Sequence, residues 1–133
     1  MVETALELAR SLDRISQKKL KYDVVRHWFQ GSEPYFDFFA NTLHDELTWF
    51  QFTFRGRSIC WSKQDPIVRT GVTTDLATND LAVYSASKTV QLDDEINQEF
   101  FRFAREIFAY RKAEGLFAAA LHVLTDVEIT PTL

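Results

Sequence analysis

The run YFDFFANTLHDELTWFQFTF, Tyr35–Phe54, places an apolar or aromatic side chain at nearly every second position on either side of a polar HDE triplet. A period of two sends successive side chains to opposite faces of a strand, so the run predicts two antiparallel strands joined at His44–Glu46. A three-residue loop there pairs Leu43 with Leu47. Counting outward, Ala40 opposes Phe50, Phe38 opposes Phe52 and Phe36 opposes Phe54, which makes one face wholly apolar. The other face receives Tyr35, Asp37, Phe39, Asn41, Trp49, Gln51, Thr53 and Arg55. A slip of one residue would mix the two sets, so their clean segregation supports the register.

The pattern extends in both directions. Arg55–Gly56 suits a two-residue hairpin, after which Ile59 and Trp61 join the apolar face and Cys60 lies opposite. IVRTGV, after Pro66, reads as a further strand, and LAVYSASKTV as a last one. Between them TGVTTDLATND, residues 70–80, has no sustained period and reads as a loop. On the N-terminal side the turn residues GSEP separate the hairpin from YDVVRHWFQ, Tyr22–Gln30, a strand with Val25, His27 and Phe29 on the apolar face and Val24, Arg26 and Trp28 outside.

Two segments have helical spacing instead. Ala5, Leu8, Ala9, Leu12 and Ile15 recur at intervals of three and four, predicting an amphipathic helix over residues 3–17. Lys18, Lys19 and Lys21 then sit where cations complement the negative end of a helix dipole. Near the other terminus Asp93 is placed to cap a helix, with Asp94 and Glu95 at its positive end and Ile96, Phe100, Phe103, Ala104, Ile107 and Phe108 forming its apolar stripe. Gly115 interrupts that helix, and LFAAALHVL resumes it as a piece apolar enough to be buried or to form an interface. The expectation is a single α+β domain spanning 1–133: an antiparallel meander of five or six strands, with an N-terminal helix and a long C-terminal helix covering the Phe face.

Composition narrows the function. Nineteen acids against fifteen bases give a net charge of -4, which disfavours a nucleic-acid partner, because neutralising phosphates supplies most of that affinity. One cysteine allows neither an internal disulfide nor a zinc cage. No segment has the apolar run of a signal peptide or a membrane span, so the expectation is a cytoplasmic chain that binds no membrane. No cofactor is expected: the four glycines are isolated and form neither a P-loop nor a dinucleotide fingerprint. No metal is expected either, since HDE at His44–Glu46 is more simply a hairpin tip and no HExxH occurs.

Three histidines and Cys60 are the material for nucleophilic chemistry, and nothing in their spacing joins them. The outward rings are the stronger signal. Tyr35, Asp37, Phe39, Trp49 and Arg55, with Arg57 and Arg69 near the same turn and strand, have the aromatic and arginine composition of interface anchors. The expected role is therefore a non-enzymatic protein-interaction or adaptor module that self-associates, for instance as a homodimer, through this sheet face or an edge strand. Trp49→Ala and Arg55→Glu are expected to weaken association. Two alternatives stand beside it. One is a small-molecule site between the sheet and the helix Ile96–Arg111, with His27 and Cys60 at its polar end; the other is a small enzyme using Asp37 or a histidine.

Overall fold

The computed structural model describes residues 4–73 and 90–126. Thr4 opens α1 (Ala5–Ser11) through a capping box: its hydroxyl accepts the Glu7 N–H at 3.1 Å, and the Glu7 carboxylate accepts the Thr4 N–H at 2.9 Å. The helix stops at Leu12, well short of residue 17. Its last carbonyls explain why. Arg111, 99 residues along the chain from Leu12, donates to Ala9 O at 2.6 Å and to Leu12 O at 2.7 Å, satisfying acceptors that a helix end leaves open. Leu12 itself is fully buried.

Asp13–Lys19, expected as the end of a helix, is instead β1. It pairs antiparallel with β2 (Val24–Gln30), with a bulge at Ile15 between Arg14 and Ser16. The lysine run therefore lies on a strand and on the following turn Lys21–Asp23, away from any helix end. Tyr22 and Asp23 hold φ 60 and 64 in that turn, and β2 starts at Val24 instead of Tyr22. β3 (Asp37–Leu43), β4 (Glu46–Phe54) and β5 (Arg57–Ser62) follow as consecutive hairpins.

The β3–β4 turn is shorter than expected. Leu43 pairs with Glu46, leaving the two-residue turn His44–Asp45 with φ 50 and 68, both in the left-handed region that a type I′ turn needs. The strands then differ by one residue between Asn41 and Thr42, where Thr48 is extra on β4, and beyond this bulge Ala40 meets Phe50 and Phe38 meets Phe52. The turn is one residue shorter than the spacing predicts and the bulge restores the phase, so the Phe face is as the alternation predicts. Arg55–Gly56 forms the expected two-residue turn, with Phe54 paired to Arg57.

β6 (Arg69–Thr73) and β7 (Val90–Leu92) complete a sheet of seven strands among the described residues, in sequential order and antiparallel throughout. The expected strand IVRTGV is β6, which starts at Arg69 and runs to Thr73, so the overlap at residues 70–72 resolves in favour of strand and the loop cannot begin before residue 74. The remainder of that loop, 74–80, and most of the LAVYSASKTV strand lie outside the described residues.

The C-terminal helix is two helices, α2 (Gln98–Tyr110) and α3 (Gly115–Asp126), parted just before Gly115. The cap of α2 is Asn97, not Asp93: its side chain accepts the Phe100 N–H at 2.9 Å. Asp93 lies upstream and accepts the Thr70 hydroxyl at 2.7 Å, while Thr70 in turn accepts the Asn97 N–H at 2.7 Å. Helices α2 and α3 lie on the Phe face. Phe117 stacks on Phe38 at 4.7 Å and meets Phe29 edge-on, and Phe108 touches Phe38, Phe50 and Phe52. The apolar α3 thus packs within its own chain.

Candidate interaction surface

The strand register sorts the outer face into rows. One row runs Gln30, Asp37, Thr53, Ser58 and Gly71; the next runs Ser16, Trp28, Phe39, Gln51, Cys60 and Arg69; a third runs Lys18, Arg26, Asn41, Trp49 and Ser62. The first two are largely closed. Phe39 is 5% exposed under the stacked ring of Trp28, 5.5 Å away, and Asp37, 8% exposed, accepts the Trp28 indole N–H at 2.9 Å. An acceptor fixed by a neighbouring ring and a ring covered by another are poor anchors for a partner.

The remaining expected site residues disperse. Tyr35 is half-exposed at the end of the sheet where Arg55 forms a two-pronged ion pair with Glu33 at 2.8 and 2.9 Å. That pairing holds the Glu33 carboxyl below its ordinary range. Arg57 is exposed on the first residue of β5, and Arg69 pairs with Asp65 at 3.1 Å. Of the set, Trp49 is the one that lines a described depression, towards the opposite end of the sheet from Arg55.

That end is concave. One depression of about 700 Å³ is lined by Lys19, Leu20, Lys21, Val24 and Asn41. A second, of about 590 Å³, shares Val24 and Asn41 and extends past Leu43 and Trp49 to Lys63 and Gln64. Together they form a shallow trough across five strands, β1 to β5. Arg26 flanks it: its guanidinium lies over the ring of the lining residue Trp49 at 5.2 Å and its Nε–H donates to Asn41 Oδ1 at 3.0 Å, contacts that orient both planar groups. Lys63 pairs with Glu46 at 2.6 Å and Lys19 faces Asp23 at 3.8 Å, but among the described residues Lys18, Lys21 and Arg26 join no ion pair.

The lysines of KKLK, expected at a helix end, lie instead on β1 and the turn after it. Cations at a helix end need no partner; cations at a strand end beside an arginine and a tryptophan have no such compensation.

His27 and Cys60, proposed together at one pocket, lie on opposite faces of the sheet. Arg14 donates to His27 Nδ1 at 2.9 Å, and because guanidinium only donates, the ring proton must be on Nε2, which bonds Thr42 Oγ1 at 3.0 Å. Burial, and then the Arg14 charge, lower the His27 pKa, so the ring is neutral near pH 7. Burial raises the Cys60 thiol pKa against a smaller opposing effect of Arg69, which keeps it from the reactive thiolate form. A separate open groove of about 690 Å³ lies between α3 and the ends of β4 and β5, lined by Leu47, Trp61, Pro66, Ala118, Ala119 and Val123 with charged residues at its rim. Neither His27 nor Cys60 reaches it.

Among the described residues no group of three or more His, Cys, Asp or Glu side chains could hold a metal, and no helix is long and apolar enough to cross a membrane. Fold and surface together define an α+β protein whose sequential antiparallel sheet carries helices on one face and an open cationic trough on the other. No protein-family model, no curated protein and no solved structure matches the chain.

Proposed function

We propose that the protein is a non-enzymatic interaction module that associates through the end of its outer sheet face, with itself and as an adaptor for other proteins. The observation that carries this is the Arg26–Trp49–Asn41 cluster, of which Trp49 and Asn41 line the trough and Arg26 stands beside it. Arginine over tryptophan, half-buried and backed by a rigid sheet, is the composition that anchors interfaces, and few rotamers remain to be lost on binding. The polar groups that chemistry would need are committed elsewhere: His27 has both nitrogens bonded, and Cys60 is held as a thiol.

Native mass spectrometry over a concentration range tests the reading. Trp49→Ala should weaken association about tenfold or more while leaving the melting transition within a few degrees. Arg55→Glu serves as the control, since it breaks the Glu33 pair at the far end of the sheet and should leave association unchanged. Oligomers equally populated in the parent and in Trp49→Ala would place the contact elsewhere.

A second reading rests on the α3 groove, whose apolar floor and charged rim suit a small amphiphile. Extra mass retained by the purified chain, lost in Ala119→Trp, would support it; a chain of bare mass in both would end it.

A further inference from the structure

Two charged runs have helix ends as their simplest explanation, and the structure removes that explanation from both. The lysines lie beyond a helix that stops at Ser11, and Asp93, Asp94 and Glu95 precede a helix whose cap is Asn97. The runs are opposite in sign. Asp94 and Glu95 are exposed on a bend between β7 and α2, beside Leu92, which is 48% exposed, and neither acid joins an ion pair among the described residues. The bend is held on both sides, by Thr70 bonded to Asp93 and by Thr70 bonded to the Asn97 N–H. It is an exposed, pre-formed acidic feature with one apolar side chain; the trough is an open, shallow surface with Lys19, Lys21 and Lys63 along it and Trp49 in its lining.

Resting on the reading of the trough as an association surface, we propose that its occupant is the Leu92–Glu95 bend of a second copy of this chain. Asp94 and Glu95 meet Lys18, Lys21 and Arg26, and Leu92 covers the Trp49 ring. A two-fold pairing of trough on trough would bring the unpaired cations together, which opposes association. Bend into trough joins unlike surfaces and leaves each copy with a free bend or a free trough, so assembly continues past two copies unless the rotation closes a ring. The contact is small, which implies weak association, roughly micromolar to millimolar. The order of the sheet keeps a chain from filling its own trough: β7 and β1 are at opposite edges.

The test uses two exposed charge reversals, Lys18→Glu with Lys21→Glu and Asp94→Lys with Glu95→Lys, after each is shown to melt as the parent does. Sedimentation velocity of the parent should show a concentration-dependent series of oligomers that shrinks as salt is raised from about 0.05 to 0.5 M, since surface charges are then screened. Each reversed chain alone should lose association about tenfold or more. Mixing the two should restore association, because the acidic bend kept by the first meets the cationic trough kept by the second and the two reversed surfaces also complement each other, whereas parent with either variant should stop at one contact per variant chain. A single chain carrying all four reversals should associate again, because the two surfaces have exchanged signs.

A parent that stays monomeric to about 1 mM overturns both the proposal and the association reading beneath it. Oligomers that depend on Trp49 but ignore Asp94→Lys with Glu95→Lys overturn the proposal alone and leave the association surface standing.

Discussion

Along β4 the inner positions Phe50 and Phe52 alternate with the outer positions Trp49, Gln51 and Thr53, and the two sets meet different surroundings. Both inner rings are fully buried and touch rings from α2, so each has partners from a distant part of the chain. Outer groups are satisfied across neighbouring strands, as Trp28 with Asp37 and Arg26 with Asn41. The inner face is held by burial, which is non-directional and large; the outer face is held by oriented polar and ring contacts, each worth little. Specific recognition is easier to build on the second, because a partner can exchange a few directional contacts without opening the core.

The sharpest way to break this contrast is to truncate one residue on each face of the same strand. Phe52→Ala should cost on the order of 3–5 kcal/mol in chemical denaturation, whereas Gln51→Ala, which removes no ring packing, should cost about 1 kcal/mol or less. Equal losses would mean that the outer face carries as much of the stability as the core.

Arg111 is the next largest effect, because it is the polar link that ends α1 against the helical layer. Arg111→Met should destabilise by about 1–3 kcal/mol, because the Leu12 carbonyl loses its side-chain donor and the Ala9 carbonyl keeps only the Leu12 N–H at 3.3 Å. It also removes the pairing with Glu114 and the guanidinium over Phe117 at 4.9 Å. An unchanged denaturation midpoint would show that solvent caps α1 equally well.

His27 brings a titration to the otherwise apolar inner face. Its folded pKa lies below the ordinary 6.5, so the unfolded chain binds the proton more readily. Stability should then be flat above about pH 6.5 and fall as the pH drops from there through the folded pKa. Asp45 acts in the opposite sense, raising that pKa, but is the smallest of the causes. The slope between about pH 6.5 and 5 should be shallower in His27→Gln, before the carboxylates dominate.

Ser58 is expected to have the smallest effect and the opposite sign. It is 1% exposed on the outer face and its hydroxyl has no hydrogen-bond partner, so Ser58→Ala should be neutral or stabilising by up to about 1 kcal/mol. A loss above that would reveal a bond to the hydroxyl and a more tightly satisfied outer face.

The sequence by itself determined the core of the sheet. Period-two alternation over Tyr35–Phe54, repeated in Val24–Gln30 and Arg57–Ser62, is set by strand geometry within each segment, and it survives a turn one residue shorter than the spacing predicts because the bulge at Thr48 restores the phase. The apolar stripe of α2 and the break before Gly115 were legible for the same local reason. Tertiary structure alone decided where α1 ends. Leu12 and Ile15 keep helical spacing, but Arg111 closes the helix from 99 residues beyond Leu12, and pairing with β2 then supplies the hydrogen bonds that make a strand of a polar segment. Tertiary structure likewise decided which charges gather: Lys18, Lys21, Arg26 and Trp49 meet only through the register of β1 to β4, and no spacing along the chain encodes a neighbour across strands.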